Sequence, residues 1–344
     1  MSFAGFFDKV KFLKIIFYSF LYLMGIVVWG TLAQKNLGLY EAQKLYFSSW
    51  IIWIWNIVPI PGCQLVLAIC YMGLLKQIFS KDSLRLRNLG TLLTHVGSWF
   101  LLTGGLLTQV GSQEGMLMLA EGQRTNKYLD ENHLELVAFD LETSNEAEIL
   151  SLKRFPKAGD FLTFEKLKIK VEVIEACQFC KTSASPKNED ADSLDSVLEI
   201  RFLNGGVDQR WVLRKWNNSP MKIELDGRIY NFNLRNRHHD MPFDFELSTF
   251  KKEVYPGTLL ARSYESLVYI QDGPLRQRAE IKMNEPLRYK GYSFYQTSYE
   301  DDGANVYSVF MVVKNHGRLF PYVSSLLLCL GLLVHFFIRR FYAV

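Results

Sequence analysis

The chain has 344 residues, of which 49% are hydrophobic and 22% are charged. Four stretches contain no Asp, Glu, Lys or Arg, at residues 15–34, 45–75, 88–113 and 319–338. Each reaches the roughly 20 residues that a helix needs to cross a bilayer. These stretches exclude a simple soluble globule, and a content of 23 Gly with only 10 Pro excludes a collagen-like chain.

The charges beside these stretches predict how the chain crosses the membrane. Outside residues 114–318 there are eleven Lys or Arg against three Asp or Glu, whereas residues 114–318 are acidic overall. The positive residues concentrate before the first stretch, between the second and third, and after the fourth, and the positive-inside rule places these segments in the cytoplasm. We therefore predict a multi-pass membrane protein with four transmembrane helices, both termini in the cytoplasm and residues 114–318 outside it.

Three further expectations concern these segments. The first stretch is expected to stay uncleaved, because no small-residue cleavage site follows it. The second stretch contains Pro59 and Pro61, and we expect its helix to bend there. The tryptophans ahead of the bend are expected to form an aromatic belt at the outer headgroups: Trp50, Trp53 and Trp55. The basic residues adjoin membrane segments, so they predict contact with lipid headgroups and no nucleic-acid partner.

Residues 114–318 predict a large all-β domain, a sandwich or barrel. Polar and apolar residues alternate at 166–176 and on both sides of Asp226-Gly227, a dipeptide typical of two-residue hairpins. Residues 183–195 are polar and rich in turn formers, and they predict a mobile loop. The predicted domains are residues 1–113 with three transmembrane helices, the extracytoplasmic β domain at 114–318, and residues 319–344 with the last helix and a short cytoplasmic tail.

Two histidines lie inside the uncharged stretches, His95 in the third and His335 in the fourth. Ionisable residues within membrane segments are costly and mark functional sites. At 1.5 Å per residue, His95 lies roughly 12 Å from Arg87 and His335 roughly 6 Å from Arg339, so both fall in the cytoplasmic half of the membrane. Two neutral imidazoles at similar depth on different helices suit the iron of a six-coordinate haem. The alternative is that each histidine bonds a Ser, a Thr or a carbonyl between helices.

The surroundings of His95 favour the haem interpretation. The third stretch contains four small residues that allow close approach of a helix or of a flat macrocycle: Gly90, Gly97, Gly104 and Gly105. Elsewhere in the sequence, His238, His239 and Asp240 are consecutive. No third ligand lies at a spacing that would complete a metal site with them, so a solvated loop is favoured. We predict no metal beyond the haem iron.

Cys177 and Cys180 form a CxxC pair in a region predicted to lie in the oxidising compartment. Such a pair is a structural disulfide, an exposed dithiol or a redox-active couple. Lys181 follows the second cysteine where covalent haem attachment requires His, so this is not a covalent haem site. There is no phosphate loop, GxSxG or HExxH motif, and we predict no catalytic residues in this chain.

Six segments recur in a characteristic order: GTLAQ at 30–34, LYFSSW at 45–50, PIPG at 59–62, HVGSWFLLTG at 95–104, DFELSTFKKEVYPG at 244–257 and NEPLRYKGYSFYQTSYE at 284–300. In this order and spacing the chain resembles, nearly end to end, the ResB (CcsB) family of cytochrome c biogenesis proteins. Three spans, a large outer β domain and a fourth span are also the layout of that family.

The resemblance implies a subunit of a system II haem-attachment complex in the bacterial cytoplasmic membrane, working with a ResC/CcsA-like membrane protein. Such a pair moves non-covalent haem b across the membrane and joins it to the CxxCH thiols of apocytochrome c. It implies that His95 binds the haem iron and that a histidine of the partner is the second ligand, which competes with the choice of His335 made from its depth in the membrane. A thioredoxin-like reductant serves the same system, and Cys177 and Cys180 could exchange with it.

The resemblance also implies that this chain is inactive alone, because it lacks the Trp-rich WWD segment of the partner. Whether it counts as an enzyme is therefore left open. Two other functions stay open as well. One is a b-type haem electron-transfer membrane subunit, although such subunits usually carry two haems and this chain has histidines for one. The other is a membrane-anchored extracytoplasmic binding or scaffold protein in which both histidines are structural.

Overall fold

The structure, a computed structural model, describes residues 3–54, 57–140, 147–152, 154–181, 194–203, 210–215, 221–225, 227–258, 261–303 and 305–342. The chain forms two compact units, Met1–Ser112 with His316–Val344, and Gln113–Asn315. The sequence prediction separated the chain after residues 113 and 318 and gave the last helix a domain of its own. In the structure that helix belongs to the same unit as the N-terminal helices.

The first unit is helical apart from one small hairpin. Its elements are α1 (Phe3–Leu37), α2 (Leu39–Ala42), a π-helical turn (Gln43–Phe47), β1 (Ile51–Ile54), β2 (Val58–Pro61), α3 (Cys63–Ile78), a 3-10 turn (Leu86–Asn88), α4 (Leu89–Gly111) and α5 (Phe320–Tyr342). Among the described helices, two contain segments long and apolar enough to cross a bilayer, Lys14–Leu37 and Phe320–Arg340. These two helices favour a membrane protein, and the four-span arrangement stays a prediction.

The second predicted span, residues 45–75, is not one helix. Its middle forms the β1–β2 hairpin, in which Ile52 pairs with Ile60, and its last part forms α3, which has 16 residues. Pro59 and Pro61 lack the N–H groups that a helix interior requires, whereas an edge strand tolerates them. Helix α3 is shorter than the roughly 20 residues that a helix needs to cross a bilayer, so α3 alone does not supply the second transmembrane helix that the sequence predicts.

The hairpin has one buried and one exposed side. Ile52 is buried and packs in a cluster with Ile26 of α1. Trp50 and Trp53 are each more than half exposed. Their exposure suits the predicted aromatic belt, whose position at the headgroups stays a prediction. Trp55 lies outside the described residues.

Helices α4 and α5 pack against each other in antiparallel orientation, and glycines of α4 lie at the contacts. A methyl group added at Gly90 would lie 2.3 Å from the backbone nitrogen of His335. At the other end of α4, a methyl group added at Gly104 would lie 2.3 Å from Cβ of Phe320. Glycine at both positions therefore permits the close approach of the two backbones.

The remaining two glycines of α4 differ in their surroundings. Gly97 also faces α5, and Ser324 of that helix donates its hydroxyl to the Gly97 carbonyl at 2.8 Å. At Gly105, apart from its own turns of α4 and its chain neighbours, no atom of the described residues lies within 4 Å of the place where a Cβ would lie. The glycine face of α4 is thus used for packing on α5 at three positions, while the fourth is open.

The second unit is all β, as predicted. Its strands are β3 (Gln113–Ala120), β4 (Arg124–Asp140), β5 (Ala147–Ser151), β6 (Phe161–Phe164), β7 (Ile169–Lys181), β8 (Leu194–Phe202), β9 (Arg210–Arg214), β10 (Met221–Leu225), β11 (Arg228–Val254), β12 (Ala261–Asp272), β13 (Leu275–Lys282), β14 (Leu287–Tyr289), β15 (Tyr292–Asp301) and β16 (Val306–Lys314). Ten strands form one sheet in the order β13-β12-β11-β4-β3-β16-β15-β14, with β10 also on β11 and β5 on β4. Strands β6-β7-β8-β9 form a second sheet.

Two long strands, β4 with 17 residues and β11 with 27, run through both hydrophobic cores of this unit. One core contains Leu136 of β4 and Phe232 of β11, packed with residues of the four-stranded sheet. The other contains Tyr128 of β4 and Phe245 of β11. Between the two cores the pairing of β4 with β11 shifts register just before His238.

The predicted hairpin at residues 226–227 corresponds to the pairing of β10 with β11, in which Leu225 lies opposite Arg228. Gly227 has a φ of 77°, in the left-handed region that glycine adopts without steric cost. Asp226 lies outside the described residues. Of the predicted mobile loop at 183–195, residues 183–193 also lie outside them, and strand β8 begins at Leu194.

Candidate functional site

His95 lies in the first half of α4, and its imidazole is held by its own helix. Its Nδ1 lies 2.6 Å from the carbonyl oxygen of Thr91, one turn earlier. Because a carbonyl can only accept, Nδ1 carries the hydrogen and the other nitrogen, Nε2, keeps a free lone pair. Within the described part of the chain, no hydrogen-bond partner occupies that Nε2, and the ring is partly exposed.

The hydroxyls of Thr94 and Ser98, near His95, are satisfied on the helix itself. Thr94 donates its hydroxyl to the Thr91 carbonyl at 2.8 Å, and Ser98 donates to the Thr94 carbonyl at 2.9 Å. Bonding of hydroxyls to carbonyls of the preceding turn lets such residues lie on an apolar helix. The Thr91 carbonyl therefore accepts from both Thr94 and His95.

His335 reaches the same threonine from α5. Its Nδ1 lies 3.2 Å from Oγ1 of Thr91. Thr91 thus contacts both predicted histidines, His95 through its carbonyl and His335 through its hydroxyl. Since a hydroxyl can accept or donate, this contact is compatible with either neutral tautomer of His335.

The two histidines are not level along the helices. His335 lies beside Gly90, and His95 is five residues further along α4, roughly 7.5 Å at 1.5 Å per residue. The His95 ring reaches back towards Thr91, and this direction reduces the axial separation of the two imidazoles. The structure therefore brings both histidines to one residue, while their shared binding of an iron stays a prediction.

An aromatic pair lies on the same side of α4 as His95. Trp99 is one turn after His95, and its ring centroid is 6.0 Å from that of Tyr71 in α3. The Nε1 of Trp99 is buried, and no group among the described residues forms a hydrogen bond with it. Thr91 and Trp99 are not among the residues predicted from the sequence, although each is four residues from His95 and a helix places such neighbours on one face.

The prediction that His238, His239 and Asp240 form a solvated loop is wrong. They lie in β11, and both histidines contact buried carboxylates of β4. His238 Nδ1 lies 3.1 Å from Oε1 of Glu135, and His239 Nε2 lies 3.0 Å from Oδ2 of Asp130. Among the residues that the structure describes, no group of three or more His, Cys, Asp or Glu side chains could hold a metal ion.

The carboxylate of Asp130 has an unusual environment. Burial by itself raises its pKa, but hydrogen bonds from His239 and from the backbone of Asn132, together with the charge and backbone of His133, lower the pKa below its ordinary value. Burial is also the main reason why the pKa of Tyr128 is raised to about 12. At neutral pH the Asp130 carboxylate is therefore charged and the Tyr128 hydroxyl is protonated.

Cys177 is disulfide-bonded, whereas Cys63, Cys70 and Cys329 are free. Cys177 lies on β7 opposite Val197 of β8, just before a register shift in this strand pair. The side chain of Cys180 lies outside the described residues. The oxidised form of Cys177 suits an oxidising compartment, and the redox role of the predicted pair stays a prediction.

Two comparisons connect the chain with known proteins. Residues 221–311 match the model of the ResB-like family. Protein NrfI of Wolinella succinogenes is 23% identical over 317 residues, which cover 88% of this chain. The chain spans only 32% of the length of that relative. Together these matches show that the chain is similar to ResB-like proteins, in agreement with the motifs in its sequence.

Proposed function

We propose that this chain is a subunit of a system II cytochrome c haem-attachment complex. In this proposal it binds haem b within the membrane and assists its export and its ligation to apocytochrome c. The ResB-like family match and the NrfI relative support a role in cytochrome c biogenesis. A ResC/CcsA-like membrane protein is the proposed partner, and a thioredoxin-like reductant is proposed to keep the apocytochrome cysteines reduced.

The observation that carries the proposal is the bonding of His95. With Nδ1 engaged by the Thr91 carbonyl, the neutral imidazole presents the Nε2 lone pair with which histidine binds iron. A carbonyl or carboxylate on the other nitrogen is the usual arrangement of metal-binding histidines. Haem held here is cargo, and its chemistry is completed elsewhere by the cytochrome thiols.

The second iron ligand has two candidates, His335 and a histidine of the partner. The Thr91 carbonyl fixes the tautomer of His95, whereas the Thr91 hydroxyl leaves either neutral tautomer open to His335. The backbone of His335 also lies against Gly90, in the packing of α5 on α4. These two differences favour the partner as donor of the second ligand.

The proposed location is the bacterial cytoplasmic membrane, with both termini in the cytoplasm and the β domain outside. The two apolar helices support insertion in a membrane. The orientation rests on the excess of Lys and Arg beside the uncharged stretches.

A membrane-anchored scaffold is the second candidate function. It is favoured by one observation, that His95 and His335 both have a protein partner for Nδ1. In that case both imidazoles would only satisfy polar groups between helices.

Co-purification with a ResC/CcsA-like protein, followed by an absorbance spectrum of the complex, tests the proposal. We expect bound haem in the unmodified complex, and loss of both haem and cytochrome c maturation in His95→Ala. His316→Ala is a matched control, because this histidine belongs to the same unit but lies before α5. Unchanged haem content and maturation in His95→Ala would leave the scaffold function as the better account.

A further inference from the structure

The turn of α4 that carries His95 is braced by α5 at several atoms. A methyl group added at Gly331 would lie 2.7 Å from the backbone nitrogen of Thr94 and 2.9 Å from the carbonyl oxygen of Gly90. One turn further along α5, His335 contacts the Thr91 hydroxyl. The residue that holds His95 is therefore itself held from the neighbouring helix.

We infer that His335 is a positioning residue for His95 that acts through Thr91, and that it is not an iron ligand. The contacts form a chain from His335 Nδ1 to Thr91 Oγ1, and from the Thr91 carbonyl to His95 Nδ1. His335 fixes the position of Thr91, and the Thr91 carbonyl fixes the tautomer and direction of the His95 ring. This inference rests on the proposed function, because it assigns a role relative to haem binding.

The expected effect follows from the general behaviour of residues that orient metal ligands. Loss of such a partner typically weakens metal binding by about 10- to 100-fold, while the ligands themselves stay in place. A lost ligand would instead change the coordination of the iron, which absorbance and electron paramagnetic resonance spectra report directly.

The test uses the full chain in complex with its ResC/CcsA-like partner and measures binding of added hemin. His335→Ala and Thr91→Val should each weaken hemin binding by about 10- to 100-fold, with the spectrum of the bound fraction unchanged. His335→Asn should restore binding, because its amide can replace the Nδ1 contact. The double variant should bind no more weakly than either single variant, since both interrupt one chain of contacts.

Ser324→Ala is the matched control, because it removes another hydroxyl bond between α5 and α4 at a distance from His95. An equal effect of Ser324→Ala would mean that only general helix packing matters, and would overturn the inference. A new coordination state in His335→Ala, or normal binding in both His335→Ala and Thr91→Val, would also overturn it. Failure of the proposed function is distinguishable, because hemin binding would then persist in His95→Ala, whereas the proposed function requires its loss in that variant whatever His335→Ala does.

Discussion

The contact between Gly90 and His335 predicts that Gly90→Ala destabilises the packing of α5 on α4, and the distances in the structure give the size of the effect. In Gly90→Ala the new methyl carbon would lie 2.3 Å from the nitrogen, 2.4 Å from Cα and 2.6 Å from Cβ of His335. Ordinary contact begins at 3.4 Å, so α5 has to move away by about 1 Å. The groups in the way belong to the backbone and the first side-chain carbon, and no rotamer change relieves the clash.

Such overpacking typically costs about 1–3 kcal/mol. The displacement also lengthens the bond between Thr91 and His335, which is 3.2 Å in the structure and close to the limit of a hydrogen bond. We therefore expect Gly90→Ala to lower both the unfolding temperature of the purified chain and its haem content.

Gly105→Ala is the matched control on the same helix, because no described atom outside its own turns of α4 lies within 4 Å of its new carbon. Alanine in a helix interior is favoured over glycine by roughly 0.5–1 kcal/mol, so this variant should be neutral or more stable. Thermal unfolding followed by circular dichroism in detergent compares the two variants. Equal unfolding temperatures for Gly90→Ala and Gly105→Ala would refute the assigned packing of α4 on α5.

The remaining predictions concern the β domain. Because the pKa of Asp130 in the folded chain lies below its ordinary value of 3.8, the charged carboxylate stabilises the fold fully above that pH. This stabilisation is lost as the pH falls through the lower pKa of the folded chain. The loss of stability on acidification, measured by unfolding from about pH 3 to 7, should therefore be smaller in Asp130→Asn. Glu135 is 3% exposed and accepts from the partly exposed Arg235 at 2.7 Å; because water can reach the Arg235 that is left behind, Glu135→Ala should cost about 1.5–3 kcal/mol. Glu246→Ala breaks an exposed pair with Arg276 and should cost about 1 kcal/mol or less; similar losses in the two variants would contradict the burial argument. Alkylation of the denatured chain without reductant should modify the free Cys329 and spare Cys177, as read by mass spectrometry of peptides; an alkylated Cys177 would contradict its disulfide.

Local patterns in the sequence were sufficient for some features. Alternating residues predicted the all-β domain, because a half-buried strand has a period of two. The position of Thr91 relative to His95 could have been derived in the same way, since residues four apart meet on a helix. These features depend on neighbours in sequence.

Other features depend on contacts between distant parts of the chain. The sequence around His238 and His239 predicts a loop, because the carboxylates that these histidines contact lie 103 and 109 residues away in the chain. The contact of Thr91 with His335 spans 244 residues. The uncharged residues 45–75 read as one bent span, because length and charge are insensitive to strand pairing between Ile52 and Ile60. In such cases the composition of a segment indicates that it is buried, but it does not indicate which residues the segment contacts.

The sharing of β4 and β11 between two cores has a consequence for degradation. Loss of order in either core would detach strands on which the other core depends, so a partly unfolded β domain has little stability of its own. We expect protease resistance to disappear in a single step as temperature rises, without a long-lived fragment that corresponds to one core.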